Sequence, residues 1–252
     1  MRRRVWAGGS LLLLVLGLSA EADLLESLGL RRRAREVKAL GEEQIAEGLR
    51  EALGIGVQRA VESLGKLDGF LKDAKVRIPL PEGLQKVETG LRRLGQGELA
   101  DQFETAMNRA AEQAVPEAAG ILGESVKQMT LADARAILSS TNTAATDYFR
   151  RTSEAELRTR LLPIVQSATA QAGVTGRYKE MLNKSGLGGS GFLGGLGRSL
   201  VGADNLDLDD YVTRKALEGL FVKIGDEETR IRENPKARST ELLKKVFGAA
   251  LK

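Results

Sequence analysis

Hydrophobic positions recur along this chain at intervals of three and four. From Glu42 onward, Ile45, Leu49, Leu53, Val57, Val61 and Leu64 form one such series, the pattern of a helix with a single buried face. Gly54 and Gly56 interrupt it. Each costs about 1 kcal/mol against Ala inside a helix, so they point to the close approach of another backbone. A turn is expected over Gly65 to Phe70. Val76-Arg77-Ile78-Pro79-Leu80-Pro81 is extended, because a residue before proline is held out of the helical region. Pro81 then suits the first position of a helix carrying Leu84, Val87, Leu91 and Leu94. Gly95-Gln96-Gly97 turns the chain into Leu99 to Val115. There, Leu99, Phe103, Ala106, Met107, Ala110 and Ala114 fall in one stripe about 100° wide, so this helix is expected to pack on the core. Asp101, Glu104, Asn108 and Glu112 lie on its far side, and Gln102, Arg109 and Gln113 line one shoulder of the stripe.

Pro116 kinks or restarts the helix, and Ala118, Ile121, Leu122, Val126 and Met129 continue an apolar face. Thr130 and Asp133 have capping-box spacing for a short helix through Leu138. After a polar turn, a helix through Asp147 to Arg151 lets Asp147 pair with Arg150 or Arg151. Ser153 and Glu156 make a second capping box, opening a helix with Leu157, Leu161, Ile164, Val165 and Ala168 that Pro163 kinks and Gly173 closes. Thr175 can cap a short helix to Leu182. Asp207 to Asn234 reads as a long helix, and Ser239 or Thr240 starts the last one. With no sustained period-two alternation and no internal repeat, the fold class is all-α. It is expected to be a single-domain multi-helix bundle of about nine helices, with a Gly-rich loop before the two C-terminal helices.

Composition narrows the chemistry. At 42% hydrophobic and 4% aromatic residues over 252, the core is built mainly from Leu, Val, Ile and Ala. Cys and His are both absent, which removes thiol and imidazole chemistry, disulfides and the usual zinc, copper and haem ligands. Residues 1–22 read as a signal peptide. Arg2 to Arg4 form the basic end, Leu11 to Leu18 the apolar centre, and Ala20-Glu21-Ala22 a small-x-small cleavage site. An uncleaved anchor is the alternative. Leu18-Ser19-Ala20 leads to Glu21 where a lipoprotein would need cysteine, so no acyl anchor is expected there. Residues 23–41 form a basic linker with Arg31, Arg32, Arg33, Arg35 and Lys38, and 42–252 the helical domain. Removing residues 1–22 takes three of 38 basic and one of 34 acidic residues, leaving a net charge of +2, too balanced to argue for nucleic acid.

Several motifs reduce to composition. The Gly-rich stretch 185–202 holds eight glycines and matches Gly-x-Gly-x-x-Gly from Gly186 and again from Gly189, without the strand before it that a dinucleotide site needs. Ser63-x-x-Lys66, Ser140-x-Asn142 and Lys184-Ser185-Gly186 follow the order of elements in serine penicillin-binding enzymes, but Lys184 ends a helix where a strand is required. Asp204, Asp207, Asp209 and Asp210 lack the EF-hand spacing and suit a helix start. No metal, cofactor or catalytic residue is therefore assigned. The candidate ligand-binding residues are Asn108, Arg109, Glu112, Gln113, Asp133, Asp147, Tyr148 and Arg151, polar groups that can meet in a cleft between helices or serve as salt bridges and exposed faces.

Six strings carry a family resemblance: Gly56-Val57-x-Arg59-Ala60-Val61, Asp68-Gly69-Phe70-Leu71, Val76 to Pro81, Met107-Asn108-Arg109-Ala110-Ala111-Glu112, Tyr148-Phe149-Arg150-Arg151 and Leu208-Asp209-Asp210-Tyr211-Val212. Together, over roughly Glu42 to Gly248, the chain resembles the DUF4197 family of exported bacterial proteins. The resemblance implies an exported, helical, single-domain protein of Gram-negative bacteria and supplies no reaction. The expected function is that of a periplasmic, non-catalytic protein of the cell envelope that binds an envelope protein or small ligand. Two alternatives stand beside it: an envelope hydrolase using carboxylates or a serine without histidine, and a structural protein touching the membrane surface weakly through Arg31 to Lys38.

Overall fold

The structure, a computed structural model, describes residues 41, 43–140, 142–184 and 207–234. The chain divides into two compact units, residues 1–47 and 48–252. In the first, residues 43–47 are helical. In the second, the helices are α1 (48–65), α2 (Glu82–Arg93), α3 (Gly97–Ala114), α4 (Ala118–Gln128), α5 (Leu131–Leu138), α6 (Ala144–Gln171), α7 (Val174–Lys184) and α8 (Leu208–Glu233). A 3-10 turn, Val115–Glu117, joins α3 to α4 where Pro116 was expected to kink the chain. No strand occurs among the described residues, so the chain is all-α as the periodicity implies. The expectations for residues 1–22, Arg31 to Lys38, the Gly-rich stretch 185–202, Asp204 and the last helix lie outside the described residues.

Three helices form the centre. α3, α6 and α8 each touch the other two; α2 lies on α3, α4 and α5 lie on α6, and α7 bridges α3 and α6. Phe103 on α3, Phe149 on α6 and Phe221 on α8 are wholly buried, each contributing about 2 kcal/mol or more through apolar burial. Alanine lets the backbones come close: Ala100, Ala110, Ala111 and Ala114 on α3 are all inaccessible to solvent. The extended segment alternates cleanly over 76–80, with Val76, Ile78 and Leu80 buried and Arg77 and Pro79 exposed. It has no neighbouring strand among the described residues; the Asn108 side chain of α3 pairs with both the N–H and the carbonyl of Ile78, Tyr211 of α8 donates to the Pro79 carbonyl, and the N–H groups of Val76 and Arg77 turn back to the Asp73 carbonyl.

The structure departs from the periodic reading at several places. The far side of α3 is not a wet face: Glu104, Asn108 and Glu112 are buried, because the connection from α1 to α2 crosses it. Solvent reaches α3 mainly along Glu98, Asp101, Gln102, Thr105, Arg109 and Gln113. Next, the two helices expected around Ser153 are one continuous helix, α6, since nothing between Arg151 and Glu154 breaks the ladder and Ser153 is buried within it. Thirdly, Leu94 is not on the buried face of α2 but follows its end, 67% exposed. Lastly, Asp147 forms no ion pair among the described residues; the Thr143 hydroxyl donates to it at 3.4 Å, while Arg150 stacks over Phe221 and Arg151 over Tyr148. By contrast the Thr130–Asp133 capping box forms in full, with Thr130 Oγ1 accepting from the Asp133 N–H and Asp133 Oδ2 from the Thr130 N–H, each at 3.1 Å.

Candidate functional site

The candidate residues on α3 divide between a clamp and a groove. Asn108 is fully buried, and its amide behaves as a strand partner would. Oδ1 accepts the Ile78 N–H at 2.9 Å, while Nδ2 donates to the Ile78 carbonyl at 2.9 Å and the Glu104 carbonyl at 2.8 Å. One turn earlier, Glu104 takes the Arg77 guanidinium in a two-point pair, Nε at 2.6 Å and Nη2 at 2.7 Å. One turn later, Glu112 Oε1 accepts the successive N–H groups of Phe70 and Leu71 at 3.1 and 3.3 Å, and its Oε2 accepts from Arg109 at 2.6 Å. Arg109 Nη2 donates to Asp68 Oδ1 at 2.6 Å. Burial works against the Arg109 charge, but its hydrogen bonds to the Glu112 and Asp68 carboxylates outweigh it and hold the guanidinium pKa above its ordinary value. Lys72 and then Arg109 hold the Asp68 carboxyl below its own.

This clamp explains the turn it holds. Asp68 sits at φ 67°, a left-handed conformation that aspartate tolerates better than most residues. At Gly69 an added Cβ would lie 2.4 Å from the Leu64 carbonyl oxygen, so only glycine fits the close return onto α1. Phe70 is thereby driven into the core against Gly219 of α8, where a Cβ would stand 2.8 Å from its ring. The string Asp68 to Leu71 and the string Met107 to Glu112 are thus the two halves of one lock.

Arg109 and Gln113 also face outward. With Gln102 and Thr105 they form one wall of an open groove of about 770 Å³, whose opposite wall is Gln171 at the end of α6 and Arg177 on α7. Phe103 and Tyr178, ring centroids 5.8 Å apart, pin α7 against α3 and set the position of Arg177. The remaining candidates stand elsewhere. Asp133, Tyr148 and Arg151 line a smaller depression of about 320 Å³ and, with Asp147, a neighbouring one of about 210 Å³. In that region the Tyr148 hydroxyl donates to the Ser125 carbonyl at 3.0 Å, and the Thr130 hydroxyl and N–H lower the Asp133 pKa. No described contact joins the two groups. Gln102, Thr105, Gln171 and Arg177 are missing from the sequence-derived set, although the helical spacing puts Gln102 on the same shoulder as Arg109 and Gln113. Gln171 and Arg177 reach the groove only through the turn at Gly173, which no local spacing announces.

Of the aspartates read as a possible cluster, Asp207 caps α8 by accepting the Asp210 N–H at 2.9 Å. Asp209 accepts the Thr169 hydroxyl at 2.5 Å, and Asp210 pairs with Arg158 at 2.6 Å. No group of three or more acidic side chains suited to a metal occurs among the described residues. No described helix is long and apolar enough to cross a membrane.

The fold and groove define an all-α protein whose central helix has one polar, solvent-facing edge. A family model described as "Protein of unknown function (DUF4197)" matches residues 39–248, and the chain belongs to that family. No curated protein and no solved structure matches it.

Proposed function

We propose that this is an exported, non-catalytic protein of the bacterial cell envelope that binds a small ligand in the groove between α3 and α7. The observation that carries the reading is the groove itself, which is large enough for a drug-sized molecule. Its polar lining of Gln102, Thr105, Gln113, Gln171 and two arginines suits orientation of a ligand by hydrogen bonds. Its one carboxylate, Asp101, accepts from Arg92 at 2.5 Å, so the groove has no second carboxylate with which to divide acid and base roles. Export rests on the basic, apolar and small-residue succession of residues 1–22.

Both parts are tested by native mass spectrometry of the full chain recovered by cell fractionation. The expected result is periplasmic protein lacking residues 1–22, carrying an added mass that collisional activation removes and that is missing from a Thr105→Trp variant filling the groove. Cytoplasmic protein of full mass overturns export. A bare wild-type mass, or an identical adduct in the Thr105→Trp variant, overturns binding in the groove.

A further inference from the structure

We infer that the groove takes an organic monoanion, a carboxylate carried on a neutral body rich in amide or hydroxyl groups; this rests on the ligand-binding reading above. Arg109 is neutralised by Asp68 and Glu112, and Asp101 shares Arg92 with Glu88, which leaves Asp101 only partly balanced. Arg177 differs. It is half-buried, its Nη1 donates at 2.5 Å to the neutral amide oxygen of Gln102, and it forms no ion pair among the described residues. A half-buried guanidinium without a counter-charge retains a planar fork of N–H donors, and the ligand group that matches such a fork is a carboxylate bound through two oxygens.

The remaining lining limits the ligand further. A single uncompensated positive charge balances a single negative one, whereas a dianion would leave an excess charge facing Asp101 in the same groove. Thr105, Gln113 and Gln171 offer donors and acceptors without charge, and Ala106 and Ala172 leave short apolar floor between them. That combination recognises the amide or hydroxyl groups of a neutral body while Arg177 holds its acidic end.

The test is a titration of the isotopically labelled full chain, followed by NMR. The matched probes are N-acetylalanine and its amide, N-acetylalaninamide, which differ by one charge, with inorganic phosphate as a third probe. N-acetylalanine is expected to shift Gln102, Thr105, Gln113 and the Arg177 side-chain resonances, and to bind at least about tenfold more tightly than the amide. Arg177→Gln should lose that discrimination and Arg177→Lys should keep part of it, with the melting temperature of each showing that it folds. Equal binding of acid and amide, tighter binding of phosphate, or an Arg177→Gln variant that discriminates as well as wild type overturns the inference. If neither acid nor amide shifts the groove while Thr105→Trp still removes the native adduct, the charge argument fails and the groove reading stands. If neither probe shifts it and the adduct is unchanged, both fail.

Discussion

Two buried glutamates show how single residues hold this chain's turns. Glu112 and Glu228 each pair with an arginine on their own helix, Arg109 and Arg232, and each gives its oxygens to two successive backbone N–H groups elsewhere. A buried carboxylate is costly unless its lone pairs are used, and removing one partner of such a pair costs more than the pair contributes. Glu112→Ala should therefore lower unfolding free energy by about 3 kcal/mol in urea denaturation, leaving Phe70, Leu71 and Arg109 with missing partners. Glu112→Gln keeps an acceptor for the two N–H groups and should cost less. Asp68 supplies the pH dependence. Its folded pKa is depressed by Lys72 and Arg109, so its stabilisation is present above the unfolded value near 3.8 and is lost as pH falls through the lower folded value. Melting temperatures of Asp68→Asn should accordingly fall less steeply between about pH 5 and pH 3 than those of wild type. An equal slope in the two proteins would remove Asp68 from the acid response.

At the scale of elements, Glu228 does for α6 what a local cap does for α5. The N-cap residue Thr143 makes no side-chain cap, and Glu228 of α8 reaches across to the N–H groups of Ala145 and Thr146 at 3.0 Å. Arg232 beside it donates to the Ile137 carbonyl at 2.8 Å, so one ion pair closes both the end of α5 and the start of α6. Contact between elements also decides what glycine does in a helix. At Gly219 an added methyl would meet the Phe70 ring at 2.8 Å and Val76 Cβ at 3.2 Å, both in the core; at Gly54 it would meet nothing within 4 Å and at Gly56 only side chains, 3.6 Å away or more, so the close backbone approach expected at Gly54 and Gly56 does not occur. Gly219→Ala should destabilise by about 1–3 kcal/mol despite its better helix propensity. Gly54→Ala should stabilise by about 0.5–1 kcal/mol. Thermal denaturation of the two variants gives opposite signs if this packing is right, and the same sign if propensity alone governs.

For the molecule as a whole, the sequence was most informative where the physics is local. The apolar spacing of α2 as far as Leu91, the helical reading of Asp207 to Asn234, the Thr130–Asp133 box and the prolines around 76–81 act within a few residues, and they appear as read. Polar positions were opaque for the opposite reason: Glu104, Asn108 and Glu112 look identical on a helical wheel whether water or a crossing segment covers them. The partners of Glu112 lie about forty residues away in the chain. The groove depends on still longer connections, since Arg177 meets Gln102 across 75 positions. The strings that resemble the family describe chiefly the lock: Asp68 to Leu71 on Arg109 and Glu112, Arg77 and Ile78 on Glu104 and Asn108, Tyr211 on the Pro79 carbonyl. Of the nine residues that line the groove, only Arg109 falls within those strings. Arg109 therefore answers to two structures at once, the groove outside and the 66–73 turn inside. By thermodynamic reciprocity, an occupant that favours one position of this guanidinium tightens the turn by the factor with which the closed turn tightens its binding.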